Sequence, residues 1–232
     1  MKAKRVSIVM PVFNEASTIS KIISDVLKSD VLGLRKEVIV VDDGSTDDTF
    51  KILSKIKSAR LKIIALKRNM GKGYALRTGF KYSTGDIIIV QDADLEYSPK
   101  EFPKLLKPIV LNKSRVVYGS REMSGKNVHS SLIFHAGGRL VTFITNLLYG
   151  SNLTDEATGY KVFDARLLKK IKLKCIRFEF CPEVTAHILK SNEKIVEVPI
   201  KYNARHRHEG KKIKARDGIE AIFTLLRIKF NL

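Results

Sequence analysis

Asp86-Ile87-Ile88-Ile89-Val90-Gln91-Asp92-Ala93-Asp94 is the stretch on which the reading of this chain turns. Ile87 to Val90 is a short unbroken apolar run, the pattern of a strand buried on both faces. It runs straight into two carboxylates two residues apart. A strand of this kind delivers whatever follows it to the carboxyl edge of a sheet, where open α/β sheets bind their ligands. Placed there, Asp92 and Asp94 can converge on one hard cation, and Glu96 follows at the next alternate position. Carboxylate oxygens suit Mg2+ or Mn2+ and leave positions open for water or phosphate. A solvated turn is the plain alternative, since D-x-D also arises by chance.

The flanking sequence alternates strand and helix. Val6 to Pro11 reads as a first strand, and Ile19, Ile22, Ile23, Val26 and Leu27 follow at helical spacing. Glu37 to Val41 is a second strand, ending on Asp42-Asp43-Gly44. Ser45 with Asp48 three residues on predicts a capping box for the next helix. Leu61 to Leu66 is a third strand, Gly71-Lys72-Gly73 opens a helix from about Tyr74 to Tyr82, and Arg115 to Tyr118 is a fifth strand. Such alternation predicts a largely parallel sheet flanked by helices, with right-handed crossovers. No G-x-G-x-x-G turn and no G-x-x-x-x-G-K-[ST] loop accompanies it, which argues against an ordinary dinucleotide enzyme or P-loop ATPase.

Composition fits one domain. The 232 residues are 44% hydrophobic, enough for a full core, and no repeat or low-complexity linker divides them. No apolar run approaches the roughly 20 residues that cross a bilayer, and the run after the basic N-terminus is too short for a signal peptide. Cys175 and Cys181 lack metal-ligand spacing and read as reduced thiols of a cytoplasmic protein. Lysine and arginine number 43 against 24 acidic residues, a net charge of +19. From Lys201 to Arg216 seven cations face one acid, Glu209. A polyanionic partner follows from this: nucleic acid or an anionic membrane surface. Against nucleic acid stands the lack of zinc spacing, an RNA-recognition signature or a recognition-helix pattern. Leu132 to Tyr149 and Ile219 to Ile228 are amphipathic helices, either core elements or helices seated in a membrane interface.

Four blocks in order carry a specific likeness: Val9-Met10-Pro11-Val12-Phe13-Asn14-Glu15, Val40-Val41-Asp42-Asp43-Gly44-Ser45-Thr46-Asp47, Asn69-Met70-Gly71-Lys72-Gly73 and Asp92-Ala93-Asp94. Together they resemble the family-two glycosyltransferases of the GT-A fold. Gly119-Ser120-Arg121, Thr158-Gly159-Tyr160-Lys161-Val162-Phe163, Glu197-Val198-Pro199-Ile200 and Arg205…Glu209-Gly210-Lys211-Lys212 narrow the likeness to the dolichyl-phosphate mannose synthase branch and its polyprenyl-phosphate relatives. It covers roughly residues 5 to 228. The resemblance implies a single GT-A domain over 1–232, with 1–120 holding the nucleotide sugar and 121–232 the acceptor and the membrane-facing part.

The resemblance also implies roles. Pro11, Phe13, Glu15, Val41 and Asp43 would line the base and ribose pocket, with Asp92 and Ala93 beside them. Lys72 either reaches a phosphate or is an exposed lysine at a helix start. Asp94, with Asp92 and Glu96, would hold the divalent ion; the branch often carries Gln at that third position. Arg121, Arg205 and Lys211 fall on phosphate-contacting motifs, with Arg139 less clearly placed, and Asp94, Arg121 and Arg205 would carry catalysis. The implied reaction is inverting, metal-dependent hexosyl transfer from a nucleotide sugar, GDP-mannose or UDP-glucose, to a polyprenyl phosphate. A phosphate acceptor is already ionised near neutral pH and needs no base. A family-two enzyme acting on a sugar hydroxyl would need one, and Asp155 or Glu183 would supply it. Many relatives carry C-terminal membrane helices; this sequence ends at Leu232 without them, so attachment to the cytoplasmic face of the membrane is expected to be peripheral or through a separate anchor subunit.

Overall fold

The computed structural model describes residues 4–125, 127, 131–205 and 215–232. Its centre is a seven-stranded sheet. Strand β1 (Arg5–Val12) pairs in parallel with β2 (Arg35–Asp42) on one side and β4 (Ile87–Val90) on the other. β3 (Leu61–Ala65) extends the sheet beyond β2, again parallel. β6 (Lys161–Asp164) runs antiparallel to both β4 and β5 (Val116–Ser120), and β7 (Ile195–Pro199) closes the far edge parallel to β5. The strand order is β3-β2-β1-β4-β6-β5-β7. Five strands are legible in the sequence; β6 and β7 are additional, and β6 is the reversed one.

The pleat explains both packed faces. Ile8, Met10, Val38, Val40, Ile87 and Ile89 point to one side, against α1 (Ile19–Lys28) and α4 (Phe102–Val110). Val9, Ile39, Val41, Ile88 and Val90 point to the other, against α3 (Lys72–Tyr82), α6 (Ala165–Lys170) and α7 (Phe180–Lys190). Successive strand residues belonging to opposite clusters is what a period of two requires when helices cover both faces. Each large aliphatic buried this way contributes about 1.5–3 kcal/mol. A third, smaller cluster joins α5 (Leu132–Tyr149) and α8 (Ala215–Phe230) through Val141, Ala221 and Leu225, with Ala186 of α7 beneath.

The capping box expected at Ser45 and Asp48 does not form. Helix α2 (Thr49–Leu53) has Asp48 at its N-cap with no side-chain capping bond. Asp47 takes that part, accepting from Thr49 N at 2.9 Å and from Ala16 N at 3.2 Å, while Ser45 donates to Asp42. The segment after β2 is drawn toward the loop after β1 and does not wind directly into the helix. Both cysteines are free thiols.

Candidate active site

Strands β1, β2 and β4 end together, and three loops meet there. Asn14, at φ +52°, accepts from Thr46 N at 2.8 Å through its side-chain oxygen, and its own N–H donates to Ser45 Oγ at 3.0 Å; Glu15 N donates to Thr49 Oγ1. Asp43 N donates to Val12 O at 2.7 Å, continuing the β1–β2 ladder. The Asp43 carboxylate accepts from Met70 N and Gly71 N, both at 2.8 Å. Burial pushes its pKa up more than those two amides pull it down. Gly71 has φ +99°, and a Cβ there would stand 2.4 Å from Ile176 O, so only glycine turns the chain into α3 at this point. Pro11, Phe13, Glu15 and Asp43 line the resulting cavity, as does Ala93. Val41 does not: it is fully buried against α3 and supports the wall from behind.

At the end of β4 the carboxylates are held individually. Lys72 Nζ sits 2.7 and 2.9 Å from the two oxygens of Asp92. Burial alone would lower the Lys72 ammonium, but Asp92 outweighs it and holds the lysine charged. The exposed-lysine reading of Lys72 is therefore set aside. Asp94 Oδ1 accepts from Glu96 N at 3.1 Å, and Leu95 between them turns at φ +65°. Burial, then the charges of Asp92 and Glu96, push the Asp94 carboxyl well above the usual carboxylate range. Glu96 Oε1 accepts from Arg205 N at 2.7 Å. Among the described residues no three acidic, histidine or cysteine side chains gather into a ready metal cage, so Asp92, Asp94 and Glu96 do not converge as a preformed triad. The donor set nonetheless suits a hard ion. Mg2+-type ions keep several waters and bind through one or two carboxylates plus substrate phosphates, and Asp94 has no ion-pair partner among the described residues.

The cationic side is built on long-range pairs. Arg121 follows β5 and grips Asp155 through Nε and Nη2, both at 2.7 Å, while its guanidinium stands 5.2 Å from the Tyr202 ring. Burial would raise Asp155, but the guanidinium holds its carboxyl below the usual range. Arg205 reaches Glu15 at 2.8 and 3.2 Å across a separation of 190 residues. Arg139, on α5, lines the same cavity from its exposed side. Lys211 lies outside the described residues. Neither carboxylate considered as a base is available for that work. Asp155 is spent on Arg121, and Glu183 accepts from Lys174 N (2.8 Å) and Cys175 N (2.7 Å) inside the core, off the cavity wall.

These parts line one continuous cavity of about 630 Å3. Asp43, Asp92, Asp94, Arg121 and Arg205 line it, as do Phe134 and Val141 of α5 and Ala221 of α8. Arg177, Phe178, Cys181, His135 and Glu156 also line it, and sequence reasoning did not single them out. They lie on late loops and helices whose local pattern carries no sign of a site.

Comparison with known proteins gives the family and the fold. Residues 7–172 match the profile of glycosyl transferase family 2. The UDP-N-acetylglucosamine–dolichyl-phosphate N-acetylglucosaminyltransferase of Methanococcus voltae is 29% identical over 251 residues, covering all of this chain and 98% of the relative. The dolichol-phosphate mannosyltransferase of Pyrococcus furiosus is 29% identical over 98% of this chain, which spans 63% of that relative's length. Among solved structures, glucosyl-3-phosphoglycerate synthase from Mycobacterium tuberculosis, in complex with Mn2+, UDP and phosphoglyceric acid, superposes with a TM-score of 0.75 at 21% identity, over 97% of this chain and 78% of the other. At that identity the likeness is one of fold, a GT-A arrangement.

Proposed function

This chain belongs to glycosyl transferase family 2, and we propose that it transfers a hexose from a nucleotide sugar to a polyprenyl phosphate with inversion at the anomeric carbon. The observation that carries the proposal is a single cavity lined by Asp43, Asp92, Asp94 and Glu96 and also by Arg121 and Arg205, each arginine held by its own carboxylate. A hydroxyl acceptor would need a base, and Asp155 and Glu183, the two carboxylates that the sequence offered for that work, are already engaged. A phosphate monoester needs none, because its oxygen is already charged near neutral pH. What it needs is fixed positive charge to hold it beside an anionic donor.

On this reading Pro11, Phe13, Glu15 and Asp43 hold the nucleoside. Lys72 lies beside the diphosphate and keeps Asp92 in place. Asp94, with Asp92 and Glu96, would bind Mg2+ or Mn2+, which supplies Lewis-acid neutralisation of the charge gathering on the leaving diphosphate. Arg121 and Arg205 orient the acceptor phosphate, Arg121 preset by Asp155 and Arg205 by Glu15. Arg139 and Lys211 join them from α5 and from the basic segment. The acceptor oxygen attacks from the face opposite the leaving group, so one displacement inverts the centre.

The lipid tail leaves between α5 and α8. Their outer faces carry Leu140, Phe143 and Leu147 on one helix and Ile219, Phe223 and Phe230 on the other, all largely exposed, with Leu147 at 73% and Ile219 at 72%. The spacings i, i+3, i+7 and i, i+4, i+11 put each set on one face. Among the described residues no helix is long and apolar enough to cross a membrane. An apolar face flanked by basic residues suits a seat in the interface of an anionic bilayer. The test is direct: incubate the protein with radiolabelled GDP-mannose, UDP-glucose or UDP-GlcNAc, a polyprenyl phosphate and Mn2+, and count label in the organic phase. Label there from one donor is expected; none from any donor rules the reading out.

A further inference from the structure

Glu156 is fully buried, and neither of its carboxyl oxygens meets a hydrogen-bond partner in good geometry among the described residues, where no other buried side chain is in that state; the Thr185 hydroxyl beside it is already paired with Tyr118. Buried polar groups are almost always paired, and one that is not marks either strain or function. Strain in the loop does not account for it, because the Glu156 backbone is satisfied: its N–H donates to Thr142 Oγ1 at 3.1 Å and its carbonyl accepts from Lys161 Nζ at 2.6 Å. The surroundings are polar but occupied. Lys161 is itself fully buried with Nζ 3.5 Å from the centre of the Tyr118 ring, and the Tyr118 hydroxyl is paired with Thr185 at 2.9 Å. Burial pushes the Glu156 carboxyl up against the opposing pull of Lys161 and Thr185. A carboxyl group with unused lone pairs can accept hydrogen bonds from a sugar hydroxyl or amide N–H.

Its position gives that capacity a use. Glu156 lines the cavity between Asp155, which fixes Arg121, and Gly159, whose missing Cβ lets Asp92 Oδ2 approach to 2.5 Å of where that atom would be. On the donor and acceptor reading above, on which this inference rests, the transferred ring lies between those two points. Its other neighbours in the wall, Ala157 and Cys181, are small. We propose that Glu156 is a specificity-determining residue of the donor site, its carboxyl turning past Ala157 and Cys181 to hydrogen-bond a hydroxyl or acylamino group of the transferred hexose. A site built to pair with such a group rejects donors that lack it far more strongly than an apolar wall does.

Glu156→Gln, which keeps the size, tests this, with Glu156→Met as the second variant. Two readouts are taken with Mn2+ present. The first is thermal stabilisation by GDP-mannose, UDP-glucose and UDP-GlcNAc, each measured against its own bare nucleoside diphosphate. The second is the ratio of kcat/KM between those donors with a polyprenyl phosphate. Wild type should gain stability from the sugar of its preferred donor. Both variants should lose that increment, melt no lower than wild type, and shift the donor ratio by about tenfold or more, with KM for the polyprenyl phosphate unchanged. The inference is overturned if wild type shows no sugar increment, if the variants keep both increment and ratio, or if they melt lower or fail to fold and lose all donors equally. A sugar increment without transfer to lipid would instead overturn the acceptor reading, and the thermal arm would still decide the role of Glu156.

Discussion

Asp94 combines burial, two acidic neighbours and no direct ion pair among the described residues, a combination that a bound cation would relieve. Asp94→Asn is expected to cut transfer by about a hundredfold or more while leaving the melting temperature within a few degrees, and EDTA is expected to do the same reversibly. Full turnover in chelator, with metal removal verified by elemental analysis, would end the metal role. Arg205 carries a different expectation. Its removal deletes a charge-assisted contact to phosphate worth about ten- to a hundredfold in binding, so Arg205→Ala should raise KM for the lipid phosphate by that factor and leave the donor KM nearly unchanged. Because Arg205 also holds Glu15, Glu15→Gln is the control: a donor KM that rises equally in both variants would assign Arg205 to the nucleotide end. Asp155 is the residue with a pH signature. Its folded pKa lies below the unfolded one, so its stabilising contribution is complete above about pH 4 and disappears as pH falls through the lower folded value. Asp155→Asn should flatten the acid side of a melting-temperature profile and lower stability at neutral pH; an unchanged acid limb would show that the Arg121 pair contributes little.

At the level of elements, the junction between β4 and β6 organises the site. The segment from Thr154 to Tyr160 is tied at nearly every residue. Glu197 takes the N–H groups of Thr154 and Asp155, Tyr97 Oη accepts from Gly159 N at 2.9 Å, and Tyr160 Oη reaches Gln91 at 2.7 Å. Asp155 and Gly159, four residues apart, therefore hold Arg121 and leave room for Asp92 from one tied span. Gly159→Ala should displace Asp92 and disturb its pair with Lys72, raising the apparent requirement for Mn2+ and donor while KM for the lipid phosphate stays put. Equal losses in all three, measured by steady-state kinetics, would reduce the segment to a general structural role. This span was visible in the sequence only as part of a motif. Nothing in Thr158-Gly159-Tyr160 predicts a strand reversed between two others, because antiparallel insertion depends on which edges are free after β1 to β5 have paired.

Across the whole molecule, the exposed faces of α5 and α8 are separable from the chemistry. Phe143→Ser with Phe223→Ser should weaken flotation with anionic vesicles several-fold and leave transfer to a short water-soluble polyprenyl phosphate intact, since both side chains are more than half exposed and bury little apolar surface in the fold. Unchanged flotation would mean that the basic segment alone, or nothing, holds the protein at a bilayer. The sequence by itself determined the alternation of strands and helices, the acidic edge after β4 and the likeness to the family, because periodicity of two or 3.6 and a strand-end motif are properties of adjacent residues. It also brought out Arg121 and Arg205 as cations of interest. Tertiary structure decided the rest: the reversed β6, the withdrawal of Val41 into the core, Ser45 turning to Asp42 and leaving the first turn of α2 to Asp47, and the pairing of Arg205 with Glu15. Those outcomes depend on partners up to 190 residues away. Charge and burial are set by what the fold brings near a group, and that neighbourhood leaves no mark on the residues to either side of it in the chain.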